Sequence, residues 1–547
     1  MNSKEVGPMS EKRQKSLSRR DFLKGTAAGI GALSFAALSE KEAKAIHPSQ
    51  VPAWDYEADV VVVGYGAAGA NAAIAAHDEG AKALILEKMP FGGGNSGISL
   101  GWMILPGNVP EAIKYFRALS FGKVDEFLIQ TFAEALVGIP DLLKNLGAEF
   151  TVRKAPPATF PALPGSNSIS RLIQFKPTGE GGFKFLSDQV NKRGIKVLFN
   201  TPARALIQVP ETKEVVGVKA GSEGKDVYLK AAKGIVLTCG GYANNPEMVE
   251  CFCFSGLSEF FTHAGNPGNT GDGVKMASSA GAELWHMSNY ELWPAACAKA
   301  ASREFGFAIG SGLGSAIPAG GFMFVNKYGR RFMNENKRLM YRKDPFEALT
   351  FNHERAEYSN LPAYMIFDEA YRQKGPIAST SKAMERAFGG PVGYSFIHKV
   401  YDWSNENTRE IEKGWILKAD TIKDLAGKIK VDPAGLEATV AQFKNYWEAG
   451  KDPEFNRTKA SMAPVETPPF YAIEICFALL NTQGGPKHNQ YCQVLNGENR
   501  PIPRLYAAGE LGSFSGFLHQ GGTNYPEAFA FGNIAGKRVA AEKPWSK

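Results

Sequence analysis

The sequence predicts an α/β chain whose first folded unit is built on a parallel sheet, and three observations predict it. Ala58-Asp59-Val60-Val61-Val62-Val63 is an apolar, β-branched run of the kind carried by a strand buried on both faces. It feeds directly into Gly64-Tyr65-Gly66-Ala67-Ala68-Gly69 and an alanine-rich, helical stretch to Gly80. Lys82 to Leu86 then reads as a second strand ending at Glu87. Strand, glycine loop, helix and strand in that order form one βαβ unit.

Each part of that unit has a physical reason. Gly64 permits the tight turn, and Gly66 lets the backbone approach a pyrophosphate. Gly69 lets helix and strand pack closely, while the helix start, including Ala68, offers N–H groups and a positive dipole end. Glu87 lies 18 residues past Gly69, placed to bond a ribose hydroxyl rather than a 2′-phosphate. Lys88 follows it. The unit therefore reads as a Rossmann-like, dinucleotide-binding domain.

The chain has 547 residues, enough for at least two folding units with sizeable cores. Apolar residues make up 44% and charged residues 21%, which excludes disorder, collagen and a polytopic membrane protein. Six cysteines, none in C-x-x-C, exclude a disulfide scaffold, a ferredoxin module and covalent c-type haem. No histidine has metal-ligand spacing, so no metal site is expected. The net charge is +7, but residues 1–45 carry nine Lys/Arg and five Asp/Glu. Beyond them 53 basic residues face 50 acidic ones with no long basic run, so nucleic acid is not expected as a partner.

Residues 1–45 read as an export signal. Ser18-Arg19-Arg20-Asp21-Phe22-Leu23-Lys24 resembles the twin-arginine translocation motif. An apolar run from Gly25 to Leu38 follows, shorter than the ~20 residues that span a bilayer. Ala43-Lys44-Ala45 is a small-residue cleavage pattern, so the mature chain is expected to begin at Ile46. That route carries folded, cofactor-loaded proteins, which implies a periplasmic enzyme.

Later segments bear on which dinucleotide is bound. Gly92-Gly93-Gly94-Asn95-Ser96 is a glycine cluster able to pass along the pyrophosphate toward a flavin ring, and Gly93, Gly94, Asn95 and Ser96 are read as cofactor contacts. Lys233 to Cys239 is another buried strand, ending in Gly240-Gly241; Cys239 there reads as a packing residue. Leu505-Tyr506-Ala507-Ala508-Gly509-Glu510 precedes Gly521-Gly522-Thr523-Asn524 and a helical stretch through Ala540. A glycine-opened helix there would turn a second dipole toward the flavin N1/C2=O locus. Ala203, Gly240, Gly241, Asp272, Glu510, Gly522 and Asn524 complete the expected cofactor set.

Taken together these segments resemble the flavoprotein subunit family of fumarate reductases, with urocanate reductases and 3-ketosteroid dehydrogenases as relatives. The resemblance covers most of the chain after residue 57. It includes Gly271-Asp272-Gly273, the run from Asn326 through Arg330-Arg331 to Asn334-Glu335, and Ala507-Ala508-Gly509-Glu510. It also includes Ala419-Asp420-Thr421, Leu425-Ala426, Asp432-Pro433 and Lys451-Asp452-Pro453 with Phe455 and Arg457. It implies FAD as cofactor and a Rossmann-like FAD-binding domain with an inserted α+β capping domain. The implied boundaries are 1–45 for the signal, 55–293 and 469–547 for the FAD-binding domain, and 294–468 for the cap.

Departures from the fumarate pattern carry the substrate information. Where the family has a His-Pro pair, this chain has Trp293-Pro294. Where it has a histidine before Thr-x-Gly-Gly, Asn481 precedes Thr482-Gln483-Gly484-Gly485. Where an arginine lies two residues before the late Gly-Gly, His519 stands. A small dianion would forfeit charge-assisted hydrogen bonds at these positions. Fumarate is thus not the expected substrate; Trp293, Tyr290 and Phe517 suggest a larger, partly aromatic or alicyclic one, with Asn481 and Thr482 beside it. His519 is expected to point at the substrate and handle a proton. The family's cap arginine has no counterpart at the usual offset, so Arg338, Tyr341 or Arg342 is expected to complete the acid.

The resemblance implies hydride transfer between flavin N5 and a C=C bond conjugated to a carbonyl, in an enoate or enone. Export points to the reductive direction, as in anaerobic respiration. Desaturation of a cyclic ketone is the alternative within enzymology, and a non-catalytic flavin electron carrier the alternative outside it. A cap argues against a carrier, which needs an exposed flavin. With no haem motif, electrons are expected from a separate donor such as a periplasmic cytochrome c or a membrane quinol oxidase.

Overall fold

The computed structural model describes residues 44–545 except 177, 254–255, 293–296, 300–305, 310–318, 337–346, 381 and 383–400. Trp293, Arg338, Tyr341, Arg342 and residues 1–43 of the expected signal therefore lie outside the described residues. No helix among those described is long and apolar enough to cross a membrane.

The Val60–Val63 run forms the end of the strand Tyr56–Val63, with every one of the four side chains buried. It lies inside a sheet between Ala83–Leu86 and Lys225–Leu237, parallel to both. Lys196–Leu198 extends the sheet on one side, Pro501–Ala507 and Gln493–Leu495 on the other. The sequence located only the last few residues of the long strand Lys225–Leu237, because its first half alternates polar and apolar. That half pairs antiparallel with Val215–Ser222.

The alanine-rich stretch is the helix Ala67–Asp78, buried from Ala67 through Ala76 on all sides. Its partner is the last helix, Asn524–Ala540. Gly532 and Gly536, one turn apart on that helix, press on the first helix directly. A Cβ would lie 2.5 Å from Ala68 O at Gly532 and 2.2 Å from Ala72 O at Gly536. Small residues on both helices therefore set an unusually close crossing, and larger ones would force the helices apart.

A second sheet is organised around Phe470–Thr482. Its first half pairs with Ala363–Asp368 and Ile416–Ala419, and its second half with Phe261–His263 and Tyr290–Leu292. The expected boundary at 468/469 thus falls just ahead of a strand shared by the cap segment and the nucleotide-binding segment. Behind this sheet Met323, Ile366, Leu425, Leu436 and Phe443 form the core of the cap segment.

The residues of the cap that carried the family resemblance turn out to hold that segment together. Arg331 makes a two-pronged contact to Glu335, at 2.7 and 2.9 Å, and reaches Asp452 at 2.9 Å. Arg457 donates to Glu335 at 3.2 Å and to the Phe322 carbonyl at 2.7 Å. All four side chains are buried. Charges this deep persist only when each is matched, so these residues are a buried lattice rather than a surface motif.

Candidate active site

A cavity of about 640 Å³ opens where the first glycine loop, the short helix Gly94–Ile98, the 265–269 loop and the start of the last helix converge. Its size lies within the ~300–1,000 Å³ usual for cofactor and ligand sites. The fingerprint glycines divide into two kinds. Gly64 has φ +105°, and a Cβ there would meet Thr238 O at 2.4 Å; at Gly69 it would meet Gly64 O at 2.0 Å. Both are required by the protein's own packing. Gly66 is different: the nearest protein atom to its Cβ would be Gly93 O at 3.7 Å, and the residue lines the cavity. Its bareness leaves room for a ligand rather than for the protein.

The N-cap residue of the helix Ala67–Asp78, Gly66, has no side chain to cap it, and Ser96 Oγ takes the Ala67 N–H at 3.2 Å; Asn524–Ala540 has no N-cap side-chain bond, the Thr523 hydroxyl turning back to Gln520 O at 2.6 Å. Ala67, Ala68, Asn524 and Tyr525 line the cavity, so two electropositive helix starts face the same space. The first of them, beside bare Gly66, fits the diphosphate of a dinucleotide, and the second faces another part of the same cavity.

Acidic residues complete the cradle. Glu87 is buried and accepts Tyr65 N–H at 2.9 Å and Met89 N–H at 2.8 Å, leaving lone pairs for a ribose hydroxyl. Burial pushes its carboxyl upward against those hydrogen bonds. Lys88 is held by Thr270 and Asp272, each at 2.7 Å. Glu510 accepts from Asn95 at 2.7 Å and from Gly241 N–H at 3.2 Å, and burial raises it to about 7.

Of the expected cofactor set, Gly64, Gly66, Ala68, Glu87, Lys88, Gly94, Asn95, Ser96, Ala203, Gly240, Asp272, Glu510, Gly522 and Asn524 line the cavity. Gly69, Gly93 and Gly241 stand behind it. Gly93 N–H donates to Tyr65 O at 2.7 Å, and a Cβ on Gly241 would meet Thr482 Oγ1 at 2.1 Å. Cys239, at the end of its buried strand, is pushed up to about 12 by burial, which suits a packing residue.

The substrate-side expectations need correction. Tyr290 and Thr482 face each other across paired strands, but both turn away from the cavity. Tyr290 packs into the core with Leu292, and Thr482 accepts Tyr242 N–H at 2.9 Å. Their strand neighbours Glu291 and Asn481 are the next pair in register, and alternation turns those two into the cavity. His519 does not reach the cavity either. It is 1% exposed, its Nδ1 lies 2.9 Å from Ser515 Oγ and its Nε2 2.6 Å from Glu291 Oε1. Phe517 sits against Phe121 and His286.

Glu291 is thus the residue that the sequence reading missed. Its other oxygen accepts Asn524 Nδ2 at 2.7 Å, and Asn524 Oδ1 accepts Gln483 Nε2 at 3.2 Å. The period-2 alternation of Tyr290–Glu291–Leu292 was the available signal. Gln520, Trp102 and Pro157 also line the cavity without having been singled out. Among the described lining residues Lys88 is the one cation, and it is paired with Asp272.

Comparison with known proteins agrees with this geometry. Residues 59–524 match the family described as FAD binding domain. An NADH:acrylate oxidoreductase of Vibrio harveyi is 28% identical over 88% of this chain, and the alignment covers 50% of that relative. The chain thus spans about half the length of that protein. A digoxin reductase of Eggerthella lenta is 28% identical over 97% of this chain and 98% of its own. The crystal structure of 3-ketosteroid delta1-dehydrogenase from Sterolibacterium denitrificans superposes with a TM-score of 0.71 at 24% identity, covering 89% of this chain and 99% of that one. That likeness shows the fold.

Proposed function

Because the chain belongs to the FAD-binding domain family, we propose that it is a flavin oxidoreductase reducing a C=C bond conjugated to a carbonyl. The observation that carries the reading is a buried acid, Glu291, facing the same cavity as the two helix starts. Bound FAD supplies the two-electron, hydride-transferring chemistry. The chain's own residues do the rest. Gly66 and the helix start at Ala67 would hold the diphosphate, the helix start at Asn524 would face the flavin ring, and Glu87 and Lys88 would take the ribose side. Trp102, Ile104, Pro157 and Tyr525 give an apolar wall for a ring system.

The charge balance of the lining favours substrates without two carboxylates. A dianion facing Glu291 and Glu510 would gain no charge-assisted hydrogen bond from the described lining, at a cost of about 1.5–3 kcal/mol for each one forgone. Relatives bearing the names acrylate oxidoreductase and digoxin reductase act on a small and a large molecule, which leaves enoates and enones both in range. The test is a panel of enones, enoates and fumarate with a reduced viologen as electron source. Fumarate is expected to show at least a hundredfold lower kcat/KM than the best enone, and fumarate as the best of the panel would sink the reading.

Export is part of the same proposal, on the twin-arginine motif at Arg19-Arg20. Ile46, the expected first mature residue, is held by backbone bonds to Leu206 O and from Gln208 N–H, both 2.9 Å, so cleavage after Ala45 would leave the folded edge intact. A periplasmic cytochrome c or a membrane quinol oxidase would supply electrons. Arg338, Tyr341 or Arg342, outside the described residues, stays a candidate to complete the acid from the cap segment.

A further inference from the structure

Resting on the reductase reading above, we infer that Glu291 is the residue that protonates the substrate, and that His519 is a positioning residue that stands against its carboxyl. Glu291 is the acid that lines the cavity on the Tyr290–Leu292 strand, 4% exposed, and its pair across the sheet, Asn481, lines the same wall. His519 stands behind it, with Nε2 2.6 Å from Glu291 Oε1, in contact with the carboxyl but outside hydrogen-bond geometry. The far nitrogen of the ring meets Ser515 Oγ, which helps to hold the ring there.

The hydrogen-bond directions around the pair are ordered. Gln483 donates to Asn524 Oδ1, and Asn524 donates to Glu291 Oε2. Glu291 Oε2 is therefore an acceptor, and the exchangeable proton belongs to the Oε1 side, next to His519. Three further groups bear on its charge. Glu527 from the last helix accepts Ser513 Oγ at 2.9 Å and Phe514 N–H at 2.8 Å. Glu510 lies beyond Asn481 and Thr482, and the imidazole of His519 faces Glu291 directly. Burial is the largest cause that raises Glu510 and Glu527 to about 7, with the charge of Glu291 a smaller one. Those two carboxyls therefore hold protons for part of the time at neutral pH.

Bound FAD would supply the hydride to the alkene carbon farther from the carbonyl. The carbon next to the carbonyl takes the proton from Glu291, whose O–H bond breaks and leaves the electron pair on the carboxylate. The carboxylate regains its proton from water between turnovers, with the His519 ring beside it.

The test uses the FAD-loaded protein and three variants. Glu291→Gln keeps the shape and the Asn524 bond but carries no acidic proton, so it should hold FAD and lose about 10²–10⁴-fold in turnover. Glu291→Asp keeps an acid and should retain more turnover than Glu291→Gln. His519→Gln should lose less than Glu291→Gln but displace the pH profile. An independent readout is the NMR chemical shift of the His519 ring at one fixed pH in the oxidised, substrate-free protein, which Glu291→Gln should displace because the group 2.6 Å from Nε2 changes. Wild-type turnover in Glu291→Gln, equal loss in the Asp and Gln variants, or a His519 ring shift that Glu291→Gln leaves unmoved would each overturn the assignment. If no enone or enoate is reduced by the wild-type protein, the reductase reading fails by itself, and the ring shift still decides the pair.

Discussion

Two glycines three residues apart, Gly66 and Gly69, should fail in opposite ways when each is replaced by alanine. Gly66 has φ −92° and ψ −167°, a backbone any residue adopts, and its Cβ would find only Gly93 O at 3.7 Å and Ser96 Oγ at 3.9 Å. The apoprotein should therefore keep its stability to within about 0.5 kcal/mol. The new methyl group projects into the cavity and holds a phosphate away from the helix N–H groups. Losing one charge-assisted hydrogen bond of about 1.5–3 kcal/mol weakens FAD binding roughly 10- to 150-fold. Gly69→Ala instead drives a Cβ to 2.0 Å from Gly64 O and 2.7 Å from Thr238 Oγ1, so backbone must move at a cost of about 1–3 kcal/mol or more. FAD titration of the two apoproteins by flavin fluorescence, with thermal unfolding alongside, separates the effects. Wild-type FAD affinity in Gly66→Ala, or equal loss of apoprotein stability in both variants, would refute the division of the loop into packing and ligand glycines.

Two further perturbations follow from buried charge. Glu335 sits between Arg331 and Arg457 with no exposed side-chain surface, so Glu335→Gln strips a partner from two buried guanidinium groups. It should destabilise the cap segment by about 3–5 kcal/mol in denaturant unfolding, and a loss under 1 kcal/mol would contradict the lattice reading. Glu527 is raised to about 7 by burial, above its ordinary unfolded value, so the folded state keeps a proton that the unfolded chain releases between roughly pH 4.5 and 7. Its contribution to apoprotein stability is whole below that window and is lost as pH rises through it. Glu527→Gln should then gain on the wild-type protein by up to about 1.4 kcal/mol per pH unit across the window, measured by denaturant unfolding at several pH values. A gap that narrows with rising pH would have the wrong sign.

What could be read from the sequence was what depends on neighbours in the chain. Gly64, Gly66, Gly69 and Glu87 lie within one βαβ unit, so spacing alone gave their roles. Which way Tyr290 and Glu291 point could not be settled that way. Alternation says they face opposite sides, but the cavity side is fixed by register against Asn481, nearly two hundred residues later. His519 was placed by analogy with an arginine position, and in the fold it lies one layer back because Glu291 fills the wall. Arg331, Glu335, Asp452 and Arg457 were visible as a family pattern, yet their purpose appears only when two distant segments close on one another. The strand Phe470–Thr482 likewise serves two parts of the fold at once, which a boundary drawn along the chain cannot express.

If this FAD protein reduces a conjugated C=C bond with Glu291 at the reacting face, anaerobic rapid mixing of the fully reduced protein with one equivalent of an enone will show it, followed by the flavin absorption band and by mass analysis of the product. The oxidised flavin band should return in a single turnover with stoichiometric saturated ketone, and Glu291→Gln should slow the return while holding the same FAD. A flavin that stays reduced with every enone and enoate offered, yet reoxidises promptly on admission of oxygen, would contradict that reading.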